Sequence, residues 1–196
     1  MGVSRRWFSE TAPPIAIYLG IGVIITLIFF AVSGEQARVG TFRSVSAILS
    51  KFAELASVGL ALGLVASLGR RRIDTSLLTL GIGFVALLDV DHLPSLFGIA
   101  QPIRPAHSFA YLAVTVLVLA LLIRNKLDVE LIAVSAFLGH IAADTGIFAP
   151  LARFSFDYVP TEDFRIPFAV GAVVFALLAG RARFAREKPA FGFATK

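Results

Sequence analysis

The chain has 196 residues, 57% hydrophobic and 16% charged, and its mean hydropathy is +0.84. It has no cysteine, which excludes disulfides, thiolate ligands and a cysteine nucleophile. The net charge of +5 is not a nucleic-acid footprint, because most Lys and Arg flank apolar segments and so set membrane orientation instead.

Several apolar runs approach the roughly 20 residues that span a bilayer. The chain reads as an all-α polytopic membrane protein, one helical domain over residues 1–196 with about six transmembrane helices. The first span, 15–33, follows Arg5 and Arg6. It exceeds the core of roughly 7–15 residues of a cleaved signal peptide, so it is expected to be retained, although Ala31-Val32-Ser33 weakly resembles a cleavage site. The second, 46–68, carries Gly59-x-x-x-Gly63 with Ser50, Ser57 and Ala61 nearby. Such a small-residue face serves packing within the chain or oligomerisation. The third, 74–90, is short and ends at Asp89. The fourth covers 107–123, the fifth 128–148 and the sixth 166–181. Gly69, Gly98, Pro102, Pro150 and Pro160 punctuate the connections. Residues 187–196 read as a loose polar tail.

Orientation follows from the Lys and Arg count. With the N-terminus inside, twelve fall on inner segments and six on outer ones, and Arg70-Arg71-Arg72 is the strongest anchor. Both termini are therefore expected in the cytoplasm, in a plasma membrane of prokaryotic type. Asp89, Asp91 and His92 then lie at the outer boundary, where His107 begins span four. His140 lies about 12 Å below the outer end of span five, at 1.5 Å per residue, and Glu54 about as far below the outer start of span two.

Ionisable groups inside a membrane protein usually face a cavity, a partner or a metal. The chain has three histidines, each in a polar patch within apolar sequence. Asp89-Val90-Asp91-His92 puts two carboxylates and an imidazole within four residues, and the helix is expected to unwind there. Arg104 and His107-Ser108 follow a loop with three prolines. Arg104 suits a phosphate or carboxylate, or acts as an interfacial anchor. His107 suits a ligand or general acid/base, or a backbone-bonded helix start. His140 and Asp144, four apart, would share a helix face and one ion, or be satisfied by neighbouring helices. A metal site accounts for these residues together.

The order D-x-D-H, R-x-x-H-S and G-H-x-x-x-D-T resembles the membrane-bound metal-dependent hydrolases, the LexA-regulated inner-membrane group. Here the motifs are Asp89–His92, Arg104–Ser108 and Gly139–Thr145, and Pro150 to Ser155 resembles the family's Phe-Ser stretch. The likeness covers about residues 85–156. The chain departs from the pattern at Ile103 and Pro105, where the family has histidine and glycine, and no histidine precedes His92. Glu54 either replaces that early histidine or pairs with Lys51.

The resemblance implies hydrolysis of an ester or phosphoester. The implied metal ligands are Asp89, Asp91, His92, His107, His140 and Asp144, with Glu54 as a further candidate. Among the catalytic groups, Asp91 would serve as an acid or base and His107 as a leaving-group acid. Arg104 would stabilise developing charge, with Ser108 supporting. The expected cofactor is a divalent metal, zinc first, then manganese or magnesium. The expected substrate is a membrane lipid or lipid-linked phosphoester, with no nucleic-acid partner. The alternatives are a non-catalytic metal-binding membrane protein, an ion or solute transporter, and a subunit of a homo-oligomer or membrane complex. A histidine-nucleophile phosphatase would need a P-S-G-H element, which the chain lacks.

Overall fold

A computed structural model describes residues 2–33, 45–90, 105–144, 147–148 and 159–187. Among them are six α-helices: α1 (Gly2–Ser33), α2 (Val45–Arg70), α3 (Thr75–Leu87), α4 (Phe109–Leu122), α5 (Leu127–Ala143) and α6 (Arg165–Glu187). Two short strands, β1 (Ile147–Phe148) and β2 (Val159–Pro160), pair antiparallel with Ile147 opposite Pro160.

Helix boundaries follow local chemistry. The Asp74 carboxylate caps α3, accepting from the Ser76 N–H at 2.9 Å and the Leu77 N–H at 3.2 Å. The Ser108 hydroxyl caps α4, accepting from the Tyr111 N–H at 3.2 Å. The supporting role expected for Ser108 is thus at least in part that of a helix cap.

Four of the expected spans have different limits. α6 runs to Glu187, six residues beyond the expected end at 181. α1 begins well before residue 15 and runs through Pro13 and Pro14; helices in apolar surroundings tolerate proline because neighbouring groups satisfy the freed backbone. α3 ends as an α-helix at Leu87 and tightens into a 3-10 turn at residues 88–90, and Asp91 and His92, the rest of the stretch expected to unwind, lie outside the described residues. α5 stops at Ala143, and Asp144 takes an extended backbone, φ −72° and ψ 142°. Gly146 and Pro150 just beyond disfavour a longer helix.

Among the described residues, three helices are long and apolar enough to cross a membrane, over Trp7–Ile28, Ser50–Arg70 and Arg165–Glu187. α3 and α4 are apolar but have only 13 and 14 residues, about 20 Å of rise against a hydrocarbon core of about 30 Å. Large apolar side chains face outward all along the bundle: Ile24, Leu27, Leu68, Leu121, Ile166 and Val170 are all exposed. So much exposed hydrocarbon suits lipid and not water.

Glycines bring α2 against its neighbours. A β-carbon on Gly59 would lie 2.5 Å from the Gly81 carbonyl, and one on Gly63 would lie 2.7 Å from Leu78 Cα. The Gly59-x-x-x-Gly63 face therefore serves the α2–α3 seam within the chain. Gly180 of α6 meets the Ala66 carbonyl more closely still, at 1.8 Å. Tyr18 of α1 stacks on Phe84 at 4.5 Å and meets Tyr111 edge-on at 5.6 Å, which ties α1 into the core.

These contacts fix the helix directions. α1, α3 and α5 run from one end of the bundle to the other, and α2, α4 and α6 return. The first end holds Glu10, Arg70, Asp74, Asp128 and Arg183; the second holds Asp89, His107 and His140.

Candidate metal centre

Three elements place one ligand-type side chain each at the second end. Asp89 lies in the 3-10 turn that ends α3. His107 closes the 3-10 turn Pro105–His107 ahead of α4. His140 lies in the last turn of α5. Their ligand atoms approach closely. His107 Nε2 and His140 Nε2 are 2.8 Å apart. Asp89 Oδ1 is 3.4 Å from the first and 3.3 Å from the second. Both imidazoles are fully buried, with rings 4.7 Å apart and inclined at 69°.

His140 Nδ1 lies 2.9 Å from the Val85 carbonyl. A carbonyl only accepts, so Nδ1 carries a proton, and in the neutral imidazole Nε2 presents its lone pair toward Asp89 and His107. A backbone carbonyl that fixes the tautomer in this way is the usual outer support of a metal-binding histidine. Val85 lies one helical turn before Asp89 on α3, so one helix orients His140 and supplies the carboxylate.

The triad fits a divalent ion. Two imidazole nitrogens and a carboxylate oxygen are ordinary zinc donors, with bonds of about 2.0–2.2 Å. The circle through the three atoms has a radius of about 1.8 Å from their mutual distances. A single divalent ion would therefore be within bonding reach of Asp89, His107 and His140, and a fourth protein donor would have to come from nearby. Asp144 lies nearest that role, with Oδ2 3.8 Å from His107 Nε2. Its backbone is extended at the end of α5, φ −72° and ψ 142°, so Asp144 does not continue the helix of His140 as the sequence suggested. The Asp89 and Asp144 side chains retain about a tenth of their exposure, which leaves this edge of the site the accessible one.

Glu54 does not join the group. Its carboxylate is exposed on α2, 3.4 Å from Lys51 Nζ. Asp91, His92 and Arg104, together with Ile103, lie outside the described residues.

The opposite end carries a buried ionic network that sequence reasoning treated as orientation charge. Arg183 is almost fully buried and reaches Asp74 at 2.6 Å, Asp128 at 3.1 Å and Glu10. Arg70 joins Asp74 to Glu187. One signal in the sequence pointed to it: Glu10, Asp74 and Asp128 each stand at the arginine-rich end of an apolar segment, where a lone acid needs a cation.

No protein-family model, curated protein or solved structure matches the chain.

Proposed function

We propose that the chain is a membrane-embedded, metal-dependent hydrolase of an ester or phosphoester, related to the LexA-regulated inner-membrane hydrolases. The observation that carries this reading is the meeting of Asp89 Oδ1, His107 Nε2 and His140 Nε2 at ligand spacing, with His140 oriented by Val85. Zinc is the preferred ion, because the donor set is two imidazoles and a carboxylate. When bound, a divalent ion supplies Lewis acidity that polarises the ester and lowers the pKa of water. Asp144 is the best-placed described group to accept a proton at the accessible edge. Asp91 follows Asp89 by two residues, at most about 7 Å of extended chain, so it and His92 are within reach as further ligands or base. Arg104 would bind a phosphoryl or acyl oxygen. A site at one end of the bundle suits a lipid or lipid-linked substrate.

The topology proposed is six crossings, both termini in the cytoplasm and the metal site at the outer boundary of a plasma membrane. The alternating helix directions and the arginine-rich first end support it. A conduit for ions is disfavoured by the packing: Leu80, Phe84, Ile132, Ala136 and Phe137 fill the space between the metal site and the ionic network, all fully buried. The complete burial of both imidazoles favours one second reading, a structural ion without catalysis.

The test is metal analysis of purified protein together with turnover of a generic phosphodiester and of phospholipids. Hydrolysis predicts stoichiometric metal, lost in His140→Ala, and turnover lost in Asp91→Ala. Metal without turnover selects the structural ion, and a folded, metal-free wild type rejects both readings.

A further inference from the structure

The end of the bundle opposite the metal site holds an open cavity of about 830 Å³. Its cations come from three places: Arg70, Arg71 and Arg72 after α2, Arg124 and Lys126 at the α4–α5 turn, and Arg186 near the end of α6. Among the described residues, two carboxylates, Glu10 and Glu187, share the lining. Six positive groups against two negative ones in a concave wall focus a positive potential.

The cations divide into two sets. Arg70 and Arg72 are engaged by Glu187, and Arg186 by Asp128 at 2.9 Å. Arg71, Arg124 and Lys126 have no carboxylate partner among the described residues. Membrane orientation requires cations on this side, but it does not require unpaired ones to face each other across a cavity.

Backbone conformation is a second, independent observation. Among the described residues, two non-glycine residues have positive φ: Arg71 at 65° and Asn125 at 62°. Both line this cavity. Arg71 occupies the position after α2 where glycine is the usual residue: the Arg72 N–H donates to the Ser67 carbonyl and the Arg71 N–H to the Leu68 carbonyl, closing the helix. An arginine held in the left-handed region points to a use for its side chain.

The cavity also sits at the ends of the crossing segments, which begin at Trp7 and end at Arg70 and Glu187. Trp7 is partly exposed there and donates from Nε1 to Thr79 Oγ1 at 3.2 Å. Tryptophan and arginine at span ends mark the level of lipid headgroups. Basic pockets between helices at this level bind phosphate-bearing headgroups, and guanidinium forks match phosphate oxygens. The volume exceeds what a single phosphate needs and lies within the range of small-molecule sites.

We propose that this cavity binds a phosphate-bearing anion, held chiefly by Arg71, Arg124 and Lys126, at a site distinct from the metal centre. The phosphate belongs either to a lipid headgroup or to a soluble phosphate compound.

Calorimetric titration of the purified protein in uncharged detergent tests this. The probes are pyrophosphate, short-chain phosphatidic acid and, as the neutral control, short-chain phosphatidylcholine. The variant Arg71→Asn/Arg124→Gln/Lys126→Gln removes three unpaired charges, and asparagine tolerates the left-handed backbone. It is expected to weaken binding about a hundredfold, at several-fold per charge. Arg165→Gln, at the far end of α6, should leave binding unchanged. Binding of both anionic probes supports a soluble source, and binding of phosphatidic acid alone supports a lipid headgroup. Arg71→Gly separates binding from structure: it should raise the melting temperature by relieving the backbone while weakening binding. The proposal is overturned if neither anion binds the wild type, or if the triple variant binds as well as the wild type.

Discussion

The metal centre makes a prediction whose size follows from its geometry. Asp89→Asn keeps the shape of the side chain but removes the anionic donor that lies 3.3–3.4 Å from both imidazole nitrogens. His140→Ala removes a donor and also the N–H that satisfies the Val85 carbonyl. Zinc supplied at about a hundred times its dissociation constant stabilises the native state by about 2.7 kcal/mol. For a chain of this length each kcal/mol moves the melting temperature by about 2–4 °C. Wild-type protein stripped by a chelator should therefore gain about 5–11 °C when zinc is restored. Asp89→Asn should melt near the stripped wild type and gain much less. His140→Ala should start lower, because a buried carbonyl left without a donor costs about 1–3 kcal/mol, and should gain almost nothing. The assay is thermal unfolding in detergent, with and without metal. An undiminished zinc-dependent gain in both variants would falsify the assignment of these residues as ligands.

Further tests follow from other parts of the structure. Zinc affinity should fall as pH is lowered, because both imidazoles must be unprotonated to bind; once both carry protons the loss approaches about a hundredfold per pH unit, and a pH-independent affinity by calorimetry would exclude two histidine ligands. Glu54→Gln should change stability by no more than about 0.5 kcal/mol and leave metal content intact, since its ion pair with Lys51 is exposed on the outer face of α2; a loss of metal would return Glu54 to the site. Gly180→Val should cost more than about 3 kcal/mol, because its β-carbon would overlap the Ala66 carbonyl and no flexible side chain is there to yield; wild-type thermal stability would show that α6 can shift away from α2. Arg183→Met should cost about 3–5 kcal/mol by stranding buried carboxylates, and Asp128→Asn in the same chain should recover part of it; strictly additive losses in unfolding measurements would mean the two are not coupled.

Hydropathy and glycine spacing made much of the bundle legible. The apolar runs correspond to helices, and Asp74 and Ser108 cap two of them at the places where the apolar pattern begins. The limits were less legible. Pro13 and Pro14 argue against a helix in water, yet α1 runs through them. The end of α5 also eluded the apolar pattern, which continues to Phe148 although the backbone turns at Asp144.

The sequence alone determined that this is an apolar helical protein with its histidines set in polar patches, because composition and side-chain chemistry are properties of the chain itself. Only the tertiary structure decided which of those groups meet. Asp89, His107 and His140 are up to 51 residues apart along the chain, and they converge because α3, the turn before α4 and α5 all bring their ends to one side of the bundle. Glu54 was matched to them in depth and not in direction: its position along α2 follows from the rise per residue, but the face it points from is fixed by Gly59 and Gly63 packing against α3. The same packing gathered Arg71, Arg124 and Lys126 around one cavity. Depth in a helix can be counted from residue numbers, whereas facing depends on which backbones come close enough to touch.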